Sequence, residues 1–225
     1  TKAWYTCTIT QQWPSSLTAN VSNIVWYCAP VCERTLWTWS HIDCPWSTTT
    51  YNTNTQTFTL AANWCYVSPL WPVDKQAYWY FDHCGTWTFI AHIGSFAWSG
   101  AYAGISARES ADPRSKMVWI SRNESTSFVM RAYRDTTNAI RSWQQFASAA
   151  DRRWLKLERT ATQMILFDSA DGTTWTNRWA VATDWFNSCL QYGLTVETIN
   201  TNANATIEFD NVSMNGLVNA ACLIQ

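Results

Sequence analysis

Residues 154 to 214 alternate apolar and polar positions in short bursts separated by turn residues. Trp154-Leu155-Lys156-Leu157-Glu158-Arg159 puts Leu155 and Leu157 on one side and Lys156 and Glu158 on the other. Met164-Ile165-Leu166-Phe167 leads into Ser169-Ala170-Asp171-Gly172-Thr173, and Thr174-Trp175-Thr176 returns. Asp-Gly between apolar runs predicts a tight hairpin with positive φ at both central positions. Gln191 to Val196 and Ala205 to Phe209 repeat the two-residue period. Such a period demands a sheet with one wet and one dry face.

The same pattern extends upstream. Ala77, Trp79 and Phe81 share one face, opposite Tyr78 and Tyr80. Trp87, Phe89, Ala91 and Ile93 share another, with Thr88, Ile90 and His92 opposite. Tyr102 to Glu109 reads as a strand, and Met117 to Ile120 with Phe128 to Tyr133 as an antiparallel pair. Residues 139 to 149 read as a short helix or an irregular crossing. The apolar parity flips between Phe209 and Val212, which predicts a bulge at Asp210-Asn211 that returns Val212 and Met214 to the core. No period of 20 to 50 residues is present, which disfavours a propeller or solenoid.

Composition changes the picture in three places. The chain has 225 residues, 47% hydrophobic, enough for one large β-sandwich. Only 14% are charged and the net charge is −1, so nothing attracts a phosphate backbone and nucleic acid is not an expected partner. Seventeen tryptophans exceed what one core absorbs, which implies exposed aromatic patches that mark binding or self-association.

Eight cysteines, Cys7, Cys28, Cys32, Cys44, Cys65, Cys84, Cys189 and Cys222, suit disulfides in an oxidising compartment. The expected pairs are Cys65–Cys84 and Cys189–Cys222, with Cys7, Cys28, Cys32 and Cys44 as a local cluster. Cys28, Cys32, His41 and Cys44 have the ligand types of a structural zinc site, but the neighbouring Cys7 favours disulfides, and no metal or cofactor is expected. No stretch of 18 apolar residues suggests membrane insertion, and a start at Thr1 without Met suits a mature, processed product. A secreted, extracellular or cell-surface location follows. Asn-x-Ser/Thr sequons stand at Asn20, Asn123, Asn204 and Asn211, the last assigned to the bulge rather than to a glycan.

Gly104-Ile105-Ser106-Ala107-Arg108-Glu109-Ser110, Asp112-Pro113, Ser115-Lys116, Trp154 to Arg159, Ser169-x-Asp171-Gly172-x-x-Trp175 and Phe209-Asp210-Asn211-Val212-Ser213 together resemble bacterial laminin-G-like, concanavalin A-type jelly-roll domains over about residues 76 to 214. The resemblance implies an all-β fold of two antiparallel sheets packed face to face, usually an ancillary extracellular domain that in some cases binds carbohydrate. Residues 1 to 60 and the cysteines fall outside the pattern. The expected organisation is a Cys/Trp/Thr-rich N-terminal extension, 1–60, on a sandwich spanning 61–225. Ser169 to Trp175 also resembles a shortened aspartate box, a folding device in which Asp171 ties down the turn.

Catalytic constellations are sparse. Retaining glucanases need two carboxylates about 5 Å apart. Glu208 with Asp210 lacks a second Glu, and Glu109 with Asp112 is split by a loop. No Gly-x-Ser-x-Gly elbow occurs. The sequence therefore favours a non-enzymatic structural protein that assembles as a homo-oligomer or polymer, such as a surface layer or filament, with no catalytic residues. The alternative is a monomeric carbohydrate-binding module for a polysaccharide; a glycoside hydrolase ranks below both. Trp37, Trp39, Trp46 and Trp98 are the expected contacts with a partner or glycan.

Overall fold

A computed structural model describes residues 37–66, 72–97, 100–123, 128–200 and 203–214. They form fourteen strands and, among the described residues, no helix. The strands are β1 Thr38–Ile42, β2 Thr48–Asn52, β3 Thr57–Asn63, β4 Gln76–Cys84, β5 Trp87–Phe96, β6 Ala101–Arg108, β7 Met117–Asn123, β8 Phe128–Arg134, β9 Ser142–Ala147, β10 Trp154–Arg159, β11 Gln163–Ser169, β12 Thr176–Ala182, β13 Cys189–Thr198 and β14 Asn204–Met214. One seven-stranded sheet runs β1-β4-β13-β6-β7-β8-β9 and the other β12-β11-β10-β5-β14-β3-β2; every strand pair is antiparallel.

The core fills the space between the sheets with alternate side chains. Phe81, Ala103, Ile105, Val118, Leu194 and Val196 come from the first sheet, and Phe58, Leu60, Phe89, Ile93, Leu157, Leu166 and Phe209 from the second. These are the positions that the two-residue period marks, so removal of apolar surface from water selects the register, and a one-residue slip would expose every one of them. The predicted bulge is present: pairing of β14 with β5 shifts between Asp210 and Ser213, Asn211 adopts φ +48°, and Ile207, Phe209, Val212 and Met214 are all buried.

Several expectations need correction. Residues 139–149 hold no helix; they contain the edge strand β9, whose Gln144 accepts hydrogen bonds from Arg131 Nε and Nη2 across β8. The Asp171-Gly172 turn is longer than the expected tight hairpin. Only Gly172 has positive φ, +72°, and Asp171 Oδ1 accepts from the backbone N–H groups of Thr173 and Thr174. β1 and β2, inside the stretch expected as an extension, are members of the two sheets.

The disulfides also differ. Cys65 bonds to Cys44 and Cys84 bonds to Cys189. The expected Cys65–Cys84 and Cys189–Cys222 pairs fail because β4 lies beside β13, which sets Cys84 directly opposite Cys189. Bonding to Cys65 also removes Cys44 from the zinc set. Cys7, Cys28, Cys32 and Cys222 lie outside the described residues. The two disulfides fit an extracellular protein, and no helix among the described residues is long and apolar enough to cross a membrane.

Candidate functional site

The first sheet has a second face, turned away from the core, and it is unusually rich in buried polar groups. Its outward positions include Gln76 and Tyr78 on β4, Thr195 and Glu197 on β13, Tyr102, Ser106 and Arg108 on β6, Trp119 and Ser121 on β7, Met130, Ala132 and Arg134 on β8, and Trp143 and Gln145 on β9. Gly104 and Gly193 also face this way. A Cβ on Gly193 would meet Tyr78 and the Trp79 carbonyl, and one on Gly104 would meet Trp119 and the Ile120 carbonyl. Glycine at these places lets the Tyr78 and Trp119 rings lie against the sheet. Met117, Trp119, Met130 and Ala132 then form a small second apolar cluster, with Tyr102 packed on it.

An ionic network lies on the same face. Asp74, fully buried, accepts from Arg108 Nη1 at 2.8 Å and from Arg134 Nη1 and Nη2 at 3.0 and 2.9 Å, with Arg141 Nε at 3.5 Å. Arg134 also donates to the carbonyls of Pro113, Ser115 and Ala139, and Arg108 to those of Ser110 and Asp112. Asp74 N–H donates to the Pro113 carbonyl, and Asn138 N–H to that of Arg114. The two arginines thus bind the segments before β4, before β7 and after β8 to one buried carboxylate.

Arg141 carries the network into a cleft of about 220 Å³ lined by Tyr66, Tyr102, Met130, Arg141, Trp143, Gln145, Glu197 and Ile199. Arg141 Nη1 donates to Glu197 Oε2 at 3.1 Å, and Gln76 Nε2 donates to the same oxygen at 3.2 Å. The Arg141 guanidinium lies 5.5 Å from the Trp119 ring centre, and the Trp119 indole N–H donates to Thr195 Oγ1 at 2.9 Å. On the rim the Trp143 side chain is half exposed. Gln76 Oε1 and Ser121 Oγ are buried and find no hydrogen-bond partner among the described residues. The cleft therefore offers an aromatic face beside a fixed set of donors and acceptors.

Burial and charge compete at these carboxyls. Desolvation pushes Asp74 up, but Arg108, Arg141 and Arg134 outweigh it, and its carboxyl lies below the usual range. Asp168, in the second sheet, behaves alike: desolvation is overcome by hydrogen bonds from Arg178, Arg152 and Ser148. Glu197 moves the other way, because its complete burial exceeds the pull of Arg141. A lowered carboxyl contributes stability that is present above the ordinary carboxylate range and is lost as pH falls through its folded value. Glu197 has the opposite sign and loses its contribution as pH rises through its raised value. The contribution of Glu197 is fully present on the acid side, so the loss there comes from Asp74 and Asp168. The melting temperature is expected to fall steeply below about pH 4, where ordinary carboxylates titrate. Thermal melts from pH 2 to 8 check this, and a flat profile down to pH 2 would contradict ionised Asp74 and Asp168.

The aromatic residues singled out in the sequence separate in space. Trp37 is half-buried and packs on the core against Phe58, Trp79, Phe81 and Phe89. Trp39 is exposed at the edge strand β1, near His41. Trp46 is exposed and meets Trp64 edge-on, at 6.3 Å and 70°. Trp98 and Asn20 lie outside the described residues. Asn123 is only 2% exposed, which leaves no room for a glycan, whereas Asn204 is exposed. Among the described residues, none of those selected from the sequence lines the cleft. Glu208 instead accepts from Ser95, Asp210 pairs with His92, and Glu109 pairs with Lys116. Glu197 and Trp143 gave one legible signal each: a lone acid at an outward position of a strand, and a Trp in a polar segment.

No model of a known protein family matches the chain, and no curated protein matches its sequence. Solved structures do match its fold. A functionally unknown protein from Saccharomyces cerevisiae aligns with a TM-score of 0.59 at 14% identity, over 79% of this chain and 95% of that one. A carbohydrate-binding module from Bacillus subtilis aligns at 0.52 and 14%, over 81% and 96%. The mixed-linkage glucan GH16 protein from Bacteroides ovatus, in complex with a product, aligns at 0.53 and 8%, over 80% and 94%. The class is thus an all-β jelly-roll sandwich of two antiparallel sheets, and the laminin-G-like part of the resemblance is not shown. The expectation of a protein with no enzymatic character is overturned as a reading of the fold, because the GH16 protein and alginate lyases share this architecture. At these identities the likeness shows the fold alone and no activity of this chain.

Proposed function

We propose that this chain binds a saccharide in the cleft on the outer face of its first sheet. The observation that carries the reading is the half-exposed Trp143 indole standing beside the Arg141–Glu197–Gln76 hydrogen-bonded floor. A pyranose ring presents an apolar face and a rim of hydroxyls, and needs a flat apolar partner with fixed donors and acceptors around it. Trp143 supplies the first. Gln145, Arg141 and Glu197 supply the second, and the ion pair holds them in place before the ligand arrives, which lowers the ordering cost of binding. The carbohydrate-binding module and the glucan-acting GH16 protein of the same fold support the ligand class.

Affinity electrophoresis and calorimetry against a panel of neutral and acidic polysaccharides test the proposal. Trp143→Ala is expected to weaken binding about 30-fold, the loss of a central aromatic contact worth about 2 kcal/mol. Trp39→Ala, outside the cleft, should leave binding unchanged. Absence of binding to the whole panel, or equal affinity of Trp143→Ala, would overturn the reading. The same mixtures, followed for new reducing ends and for unsaturated products, report whether a bound glycan is also cleaved.

A second reading, a self-associating structural subunit, rests on the edge strand β9, which is exposed along nearly its whole length and, among the described residues, pairs on one side only. Light scattering of the native protein separates the two: a polymer that persists on dilution supports assembly, and a monomer supports the saccharide reading alone.

A further inference from the structure

On the other sheet a second aromatic feature stands apart from the cleft. Trp46 and Trp64 are 63% and 58% exposed, more than any other tryptophan among the described residues. They line, with Asn63 and Asn204, a hollow of about 310 Å³. The hollow is held rigidly. The Cys44–Cys65 disulfide ties together the two segments that carry the indoles. Asn63 Nδ2 donates to the Trp46 carbonyl at 2.8 Å, and Ser47 Oγ to the Cys44 carbonyl at 2.8 Å. Trp64 is at φ +60°, a left-handed conformation that bulky residues rarely adopt, and its N–H donates to the Ala203 carbonyl at 2.9 Å. A strained backbone that turns a large ring outward gains nothing from the core, so the arrangement points to an occupant.

Asn204 identifies that occupant. It directly opposes Asn63 across β3 and β14, faces outward, and opens the sequon Asn204-Ala205-Thr206. The other two sequons among the described residues stand in different settings. Asn123 is buried, and Asn211 is fixed in the bulge with its Nδ2 donated to Asp210 Oδ1 at 2.8 Å. We propose that Asn204 is an N-glycosylation site and that the first sugar of its glycan rests on the Trp46 and Trp64 indoles. In the modification, Asn204 Nδ2 bonds to C1 of a sugar donated by a lipid-phosphate-linked saccharide. The C1–O bond to the phosphate breaks, the lipid phosphate leaves with the bonding pair, and the amide gives up one proton; nothing is oxidised or reduced. Attachment holds the sugar beside the rings at high effective concentration, so weak stacking suffices to order it. The proposal is independent of the cleft, which lies on the other sheet.

Glycopeptide mass spectrometry of the protein purified from its native source tests the assignment. The expected result is a saccharide mass on the Asn204 peptide, released by peptide N-glycosidase with conversion of Asn204 to Asp, and an unmodified Asn123. Thr206→Val, expressed in the same source, should lose that mass. A bare Asn204 in the native protein overturns the site, including the case in which free saccharide binds the same indoles. The stacking has its own readout. Enzymatic removal of the glycan should lower the melting temperature by about 2–4 °C, the shift expected for one aromatic contact in a chain of this size. The same treatment should have little effect on the Trp46→Ala/Trp64→Ala double variant. Equal shifts in both proteins would overturn the contact with the indoles.

Discussion

Asp74→Ala is expected to lower the melting temperature by about 10 °C or more, measured by calorimetry or by the loss of β-sheet circular dichroism. Asp74 is the single carboxylate shared by Arg108, Arg134 and Arg141, and the first two have no exposed side-chain surface. Removing one partner of a buried ion pair costs about 3–5 kcal/mol, because the remaining charge stays out of water with no counter-charge. Here three guanidinium groups would face one another, with only Glu197 among the described residues left paired to Arg141. For a chain of this length each kcal/mol moves the midpoint by about 2–4 °C. Asp112→Ala, at an exposed turn, is the matched control and should change the midpoint little. The variant also reports on the cleft: Arg141 spans Asp74 and Glu197, so a chain that still folds without Asp74 should bind saccharide more weakly than the intact protein. A midpoint within a degree or two of the parent would show that the network contributes nothing net.

Removing the Cys84–Cys189 disulfide is expected to have the next largest effect. The bond closes a loop over a sequence separation of 105 residues, from the end of β4 to the start of β13, and so encloses the eight strands β5 to β12. In the chain-entropy account a loop near 100 residues is stabilised by about 4.7 kcal/mol through restriction of the unfolded chain, and native disulfides typically contribute about 2–5 kcal/mol. Cys84→Ser/Cys189→Ser should therefore melt about 10 °C below the parent, on the same scale of a few degrees per kcal/mol. Accessibility makes a second comparison possible. Cys84 and Cys189 are exposed, whereas Cys44 and Cys65 are buried. Mild reductant followed by alkylation and peptide mapping should label Cys84 and Cys189 in the folded protein and spare Cys44 and Cys65. Labelling of all four at the same rate would indicate that the whole sandwich opens under those conditions.

Much of the fold was legible in the sequence, and the places where it was not share a cause. The alternation of Trp87, Phe89, Ala91 and Ile93, or of Leu155 and Leu157, identifies core positions without knowledge of any partner strand. The parity flip after Phe209 likewise required the bulge. The segment at β9 was misread because Gln144, Gln145 and Ala147 suit a helix as well as an edge strand, and only hydrogen bonding to β8 decides between them. The site was largely hidden. Trp37 stands beside Trp39 in sequence, yet one ring packs on the core and the other reaches the surface, because β1 ends a sheet at that point. Glu197 became a candidate only once Arg141 and Gln76 were found against it.

What the sequence determined by itself is local: which residues face inward along a strand, where a strand must bulge, and that a two-layer β-sandwich results. These follow from the two-residue period and from the free energy of removing apolar side chains from water. The tertiary structure alone decided which cysteines meet, which three arginines surround Asp74, and where Trp143 stands relative to Glu197. Those pairings depend on strand order, with β13 inserted between β4 and β6 across more than a hundred residues of chain. No local pattern encodes that order; it emerges only when all fourteen strands bury their apolar faces together.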